Sequence, residues 1–521
     1  MRKAVLSLLF FLFFCLSAYA RSPGTIIDVQ HYTYNLRLSD STNLIKGKAE
    51  ISVKFLKDAT AFTLSLSDKM QVGGVTENGD PLSFKQTGNT LNITATVQTS
   101  AVHTYTITYQ GMPDDGLIIS TNRFGKRTFF GDNWPDRAHD WLPCVDDPAD
   151  KATVDFIVTA PDHYQVISNG LKTEESVLPN HLKLTHWKES IPIPTKVMVI
   201  GVADFAVAHT GDVSGIPVYS YVFPQNKAAG FKSYAGAKDI LAFFQNKFGP
   251  YAYEKLANVQ SKTIFDGMEN AGCIFYVETS VDDKEIEALM AHEIAHQWFG
   301  DAVTEKSFQH VWLSEGFATY MTNAYFENKY SAAAFKNRLV KDREKILNYE
   351  ATNAGPVVDT TVKNTYMRLL NTNSYEKGSW VLHMLRRKLG DEVFWRAIRA
   401  YYTKYVNGNA NTDDLREVME QISGQNLAQF FKQWLYTPGI PEVQYSWQYD
   451  EKNKLLNLTI VQNQDIAFEF PLQFLVEGKM ETVNIKDKTS YFQAPVAKKP
   501  AKITIDPDVN LLARFQNVNI K

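Results

Sequence analysis

Over the first two fifths of the chain, apolar and polar positions alternate in short runs. Ala49-Glu50-Ile51-Ser52-Val53-Lys54-Phe55 and His103-Thr104-Tyr105-Thr106-Ile107-Thr108-Tyr109 have period two and are rich in β-branched and aromatic residues, the pattern of half-buried strands. Turn residues separate the runs, as at Asn78-Gly79-Asp80-Pro81 and Met112-Pro113-Asp114-Asp115-Gly116. The pattern predicts an all-β domain over 21–213. Past Gly215-Ile216-Pro217 the apolar spacing changes to three and four residues, and amphipathic helices are predicted at 227–248, 283–299, 307–330 and 378–389. This mostly helical block is placed at 214–439. Beyond Pro438-Gly439-Ile440-Pro441 the alternation returns at 444–449, 455–461, 468–476 and 502–505, enough for a small β-sandwich over 440–521. The fold class is therefore α+β and multidomain: a β-sandwich-like N-terminal domain, a helical centre and a small C-terminal β-sandwich.

Composition narrows the function. The 521 residues are 44% hydrophobic, which suits several domains with their own cores. Lys and Arg number 54 against 57 Asp and Glu, so neither a nucleic-acid partner nor a charged tail is indicated. The segment 1–20 has Arg2 and Lys3 first, then a short apolar stretch and Ala18-Tyr19-Ala20, and reads as a cleaved signal peptide. Export to the periplasm or the extracellular space is expected, with no membrane span left after cleavage. Loss of Cys15 would leave Cys144 and Cys273, so at most one disulfide is possible. Two readings are open for them, a bridge in a cleft wall or a pair of buried thiols. Nothing indicates the oligomeric state.

The chemistry lies in His292-Glu293-Ile294-Ala295-His296. Histidines four apart on a helix share a face and can reach one ion, and Glu293 stands beside the first of them as a general base. Glu315, separated from His296 by eighteen residues and at the start of the next predicted helix, completes a set of three ligands for one Zn2+. The plain alternative is two core histidines and a surface carboxylate.

These residues, with Gln297-Trp298-Phe299-Gly300-Asp301 after them, resemble the aminopeptidase N and leukotriene hydrolase family of zinc peptidases. Pro143-Cys144-Val145-Asp146-Asp147-Pro148, Lys151-Ala152-Thr153 and Trp434-Leu435-Tyr436-Thr437-Pro438-Gly439-Ile440-Pro441 extend the resemblance over most of the chain. It implies a thermolysin-like catalytic domain and peptide substrates with a free N-terminus. Gly267-Met268-Glu269-Asn270 resembles the family's exopeptidase motif, in which the glutamate, here Glu269, holds the substrate's α-amino group. A carboxylate facing an ammonium places the cut one residue in, because only a true N-terminus carries that charge. Tyr375, in Tyr375-Glu376-Lys377-Gly378, matches the tyrosine that donates a hydrogen bond to the developing oxyanion.

Three departures from the family bear on specificity. Asp266 stands where glycine is usual. Trp134 falls where many relatives have a glutamate or glutamine that assists Glu269; either Asp132 supplies that charge or Trp134 lines the first specificity pocket, the plainer alternatives being a turn residue and a packed aromatic. No long helical C-terminal domain is expected after the β tail, which implies a more open cleft that admits longer peptides. Rival readings are an endopeptidase or epoxide hydrolase on the same zinc site, and a non-catalytic peptide-binding module.

Overall fold

The computed structural model describes residues 25–518. The segment 1–20, expected to be a signal peptide, lies outside them.

The alternating N-terminal runs become strands whose apolar residues face inward, as the strict buried–half-buried alternation of Lys151–Pro161 shows. An eight-stranded mixed sheet is centred on Ile27–Arg37, which pairs parallel with Lys151–Pro161 and antiparallel with Ile45–Phe55. A three-stranded sheet (Ala59–Ser65, Thr90–Val97, Phe84–Thr87) and a four-stranded sheet built on Ile200–Ala203 and Arg127–Gly131 complete the β-rich domain.

A fourth sheet, of five strands, leads into the helical block. Ala206–Val213 forms a hairpin with Ile216–Val222, so the position expected to divide the first two domains, after 213, falls inside one hairpin. Leu256–Ser261 and Cys273–Val277 add in parallel, and the two-residue strand Gly267–Met268 closes the sheet as an antiparallel edge. Leu256–Ser261 is buried at all six positions, as expected of a strand covered on both faces.

Helices follow at Ile286–His296, Trp312–Lys329 and Gly378–Leu389, matching three of the four predicted segments. The fourth, 227–248, is broken by a 3-10 turn into Lys227–Ser233 and Ala237–Phe248. Ala332–Asn353, Asp391–Tyr405 and Thr412–Ser423 are further helices. The first of these buries only Phe335, Leu339, Ile346 and Glu350 in 22 residues, which is why its apolar periodicity is faint. The last is closed by a capping box between Asn411 and Asp414.

The C-terminal strands form a four-stranded and a three-stranded sheet, in which 444–449, 455–461, 468–476 and 502–505 all carry strands close to the predicted bounds. Among the described residues no long helical domain follows them, and no helix is long and apolar enough to cross a membrane. Cys144 and Cys273 are both buried and unbridged.

Candidate metal centre

Two helices converge to build the site. Ile286–His296, hereafter the histidine helix, carries His292, Glu293 and His296, and Trp312–Lys329, the glutamate helix, carries Glu315 in its first turn. The His292 and His296 Nε2 atoms are 3.0 Å apart and lie 3.2 and 3.3 Å from Glu315 Oε2. His296 Nδ1 is 3.1 Å from the Phe299 carbonyl oxygen. A carbonyl can only accept, so Nδ1 carries the hydrogen and the Nε2 lone pair faces the other two donors.

The charge balance around these atoms tests whether a metal fits. Burial opposes charge on His296, yet Glu315, Glu269 and Glu293 outweigh it and raise this imidazole to about 10. Burial, helped by neighbouring His296, lowers His292 against the pull of Glu315. Burial alone would raise Glu315, but the charge and hydrogen bonds of both histidines hold its carboxyl well below the usual range. The cluster thus calls for positive charge where its three donor atoms meet. Two imidazole nitrogens and a carboxylate, all within 4.8 Å of one another, are a donor set that suits zinc.

Glu293 points toward the same space, and the edge strand passes directly over it. A Cβ placed on Gly267 would lie 2.2 Å from Glu293 Oε1, so the position has no room for a side chain. Burial raises the Glu293 carboxyl well above its ordinary range, reinforced by the charges of Glu269 and Glu315 against that of His296. Glu269 is 5% exposed, and its Oε1 has no partner among the described residues. Its carboxylate lies within 4.8 Å of donor atoms of Glu293 and His296.

Tyr375 sits in a five-residue π-helical turn, Asn373–Lys377, that runs into Gly378–Leu389. Such wide turns concentrate at functional sites. The approach is set by glycines: a Cβ on Gly316 would lie 3.0 Å from Gly378 Cα and from the Ser374 carbonyl oxygen, so the two helices meet backbone to backbone next to Glu315. The Tyr375 ring stacks on His292 at 5.9 Å and 9°. Burial raises its hydroxyl well above the ordinary value, and Glu315, Glu269 and Glu293 add to the effect, so it remains a hydrogen-bond donor.

These side chains line one cavity of about 530 Å³. Gly267, Met268, Glu269 and Trp134 line it; Asn270 and Asp132 do not. Trp134 packs edge-on against Phe265 and Phe308, with ring centroids 6.2 and 5.8 Å away. Asp132, expected as a possible second charge for the amino group, is instead fully buried, bonded to Arg137 at 2.7 Å and accepting from the Ile264 amide at 3.0 Å. Its carboxylate ties the loop before the edge strand to the N-terminal domain, which is the turn-residue alternative. Asn270 is buried behind the cavity with neither amide atom partnered among the described residues.

A supporting network is hard to see in the sequence. Gln297, directly after the second histidine, has all four of its bonds filled. It donates to the Glu269 carbonyl oxygen (2.6 Å) and to Asp301 Oδ2 (2.8 Å), and accepts from the Gly272 amide (2.8 Å) and the Tyr251 hydroxyl (3.1 Å). It thereby fastens the loop of Glu269 to the histidine helix. Below it, Lys196 of the N-terminal domain pairs with Glu305 at 2.6 Å, with both side chains buried, and Lys151 donates to the carbonyl oxygens of Asp301 and Ala302. Position after His296 was the one signal for Gln297; the lysines, far away in the chain, carried none.

A β-rich domain, a mixed sheet with a short edge strand, and two helices that bring two histidines and a glutamate together define a gluzincin type of centre. Residues 29–197 match the Peptidase M1 N-terminal domain and residues 233–434 the Peptidase family M1 domain. Similar proteins include Aminopeptidase M1 of Arabidopsis thaliana, 29% identical over 324 residues (59% of this chain, 37% of that protein). Probable aminopeptidase 1 of Sulfurisphaera tokodaii is 28% identical over 401 residues (73% and 49%). Glutamyl aminopeptidase of Bitis rhinoceros is 27% identical over 376 residues (69% and 37%). The chain belongs to peptidase family M1. It spans half or less of the length of these relatives.

Proposed function

We propose that this protein is a zinc-dependent aminopeptidase that hydrolyses the first peptide bond of peptides with a free N-terminus. The observation that carries the reading is Glu269: a buried carboxylate with an unpartnered oxygen, lining the cavity beside the candidate base and metal ligands. A buried carboxylate oxygen left without a hydrogen-bond partner is costly, and a substrate ammonium group would supply one.

One zinc ion would be held by His292, His296 and Glu315. When bound, it supplies Lewis acidity, polarising the scissile carbonyl and acidifying the attacking water. Glu269 holds the α-ammonium group and so sets the first carbonyl over the metal ligands. Glu293 takes the proton of the attacking water and returns it to the departing amine. Tyr375 donates a hydrogen bond to the oxygen that gains charge, a type of contact typically worth about 3 kcal/mol. Trp134 walls the space for the side chain of the first residue with an apolar face. Export through a cleaved signal peptide is part of this proposal.

Aminoacyl fluorogenic amides, tested with and without a chelator, check the activity. Hydrolysis is expected, with loss on chelation and recovery on adding zinc. Acetylating a peptide's N-terminus is expected to abolish its cleavage; cleavage of the blocked peptide would refute the role of Glu269. The Glu293→Gln variant is expected to bind zinc stoichiometrically and lose turnover, and normal activity in it would overturn the assignment of the base.

A further inference from the structure

The cavity continues well beyond the metal ligands. Along the histidine helix it is lined by His296, Glu293, His292, Leu289 and Ala288, and it ends at Glu285 and Asp283 just before the helix begins. Asp266 stands on its rim. Six carboxylates therefore line it (Asp266, Glu269, Asp283, Glu285, Glu293 and Glu315), and no lysine or arginine does. The proposed reaction employs three of the six. The other three, Asp266, Asp283 and Glu285, are exposed, and among the described residues none has an ion-pair partner within 4 Å. The same cavity contains the buried, unpartnered Oε1 of Glu269, the seat proposed above for the α-ammonium group, so it already receives one cationic group of its ligand.

We propose that Asp266, Asp283 and Glu285 select peptides carrying Lys or Arg among the residues just after the scissile bond. The inference rests on the aminopeptidase reading above. The Glu269 carboxylate clusters with donor atoms of Glu293 and His296, so the substrate's amino group sits near the last turn of the histidine helix. A peptide held there and passing the metal ligands runs toward the start of that helix. Glu285 precedes His292 by seven residues, about 10 Å at ~1.5 Å per residue. An extended peptide covers that distance in about three residues. Lysine or arginine at the second to fourth substrate positions thus reaches the acidic rim. The side chain of the first residue meets a different surface, made of Met268, Phe265 and Trp134. The cationic preference therefore belongs to the leaving peptide and not to the N-terminal residue. A cleft lined by one sign of charge focuses its field on an incoming ligand and raises its encounter rate by roughly 10-fold or more.

The test uses the zinc-loaded full chain and peptides with N-terminal alanine and Lys, Gln or Glu at the second and third positions. The readout is kcat/KM for alanine release at about 0.02 M and about 0.5 M salt. The expected order is Lys over Gln over Glu, with Lys ahead of Glu by about tenfold or more at low salt and by much less at high salt. Combining Asp266→Asn, Asp283→Asn and Glu285→Gln should bring the Lys-to-Glu ratio close to one. Equal rates for the three peptides, while alanine 4-nitroanilide is still hydrolysed, would overturn the proposal and leave the aminopeptidase reading standing. So would a cationic preference that appears between lysine and alanine anilides instead. If neither anilides nor peptides react, the aminopeptidase reading falls and this inference falls with it.

Discussion

Replacing Gly267 by alanine isolates one contact. Its φ does not lie in the left-handed region, so alanine fits the backbone and no strain penalty confuses the result. The added Cβ would stand 2.2, 2.5 and 2.8 Å from Oε1, Cδ and Cγ of Glu293. Ordinary contact for such atoms is about 3.5 Å, so the carboxylate or the edge strand has to yield by about 1 Å. A displacement of that size at a reacting group costs about 100-fold, equal to about 2.7 kcal/mol of barrier. If Glu293 moves, kcat falls and KM for an alanine amide stays near its original value. If the strand moves instead, Glu269 is carried with it and KM rises. Steady-state kinetics separate the two, zinc content measured on the purified variant shows the metal ligands intact, and a thermal melt shows the fold intact. A variant with full zinc, an unchanged melt and kcat within about threefold of the parent would show that the close passage of the strand over Glu293 has no bearing on catalysis.

Other expected outcomes concern the oxyanion and the interior. Tyr375→Phe should keep zinc and lower kcat by about 10²–10³ with little change in KM, measured on the same amide; a loss below about tenfold would remove the hydroxyl from the mechanism. Lys196→Met leaves Glu305 buried without its cation and should cost about 3–5 kcal/mol in urea unfolding, whereas a cost under about 1 kcal/mol would mean that solvent reaches the pair. Glu189 is fully buried and its carboxyl is pushed up to about 7, chiefly by burial. Its folded value lies above its unfolded one, so the folded state binds the proton more tightly, and stability is lost as pH rises toward and through about 7. The loss attributable to this group is up to about 3 kcal/mol. Glu189→Gln should therefore gain stability relative to the parent at pH 8 compared with pH 5, and a stability difference independent of pH would refute the argument.

What could be read in the sequence was what local spacing encodes. His292 and His296 share a helix face, and Glu315 opens the next helix, so a pattern of separations was enough to bring them together. The alternating strands and most of the helices were visible for the same reason. The remainder depends on contacts between segments distant in the chain. Asp132 looked available for a substrate because Arg137 and the Ile264 amide, which claim it, form their bonds only in the folded protein. Gly267 is one letter of a motif in the sequence, and only folding brings Glu293 beneath it. The helix Ala332–Asn353 is largely polar because only one narrow side of it is covered. The division after 213 ran through a hairpin because alternation continues across the turn, and period two does not say which sheet a strand joins.

The buried Lys196–Glu305 pair has a consequence for anyone who would cut this molecule into parts. Excising the helical half alone would strand Glu305 without its cation and uncap the carbonyl groups of Asp301 and Ala302 that Lys151 holds. Those carbonyl groups lie five and six residues past the end of the histidine helix. The β-rich half is thus interior scaffolding for the candidate metal centre, and the smallest portable unit of this protein has to contain both.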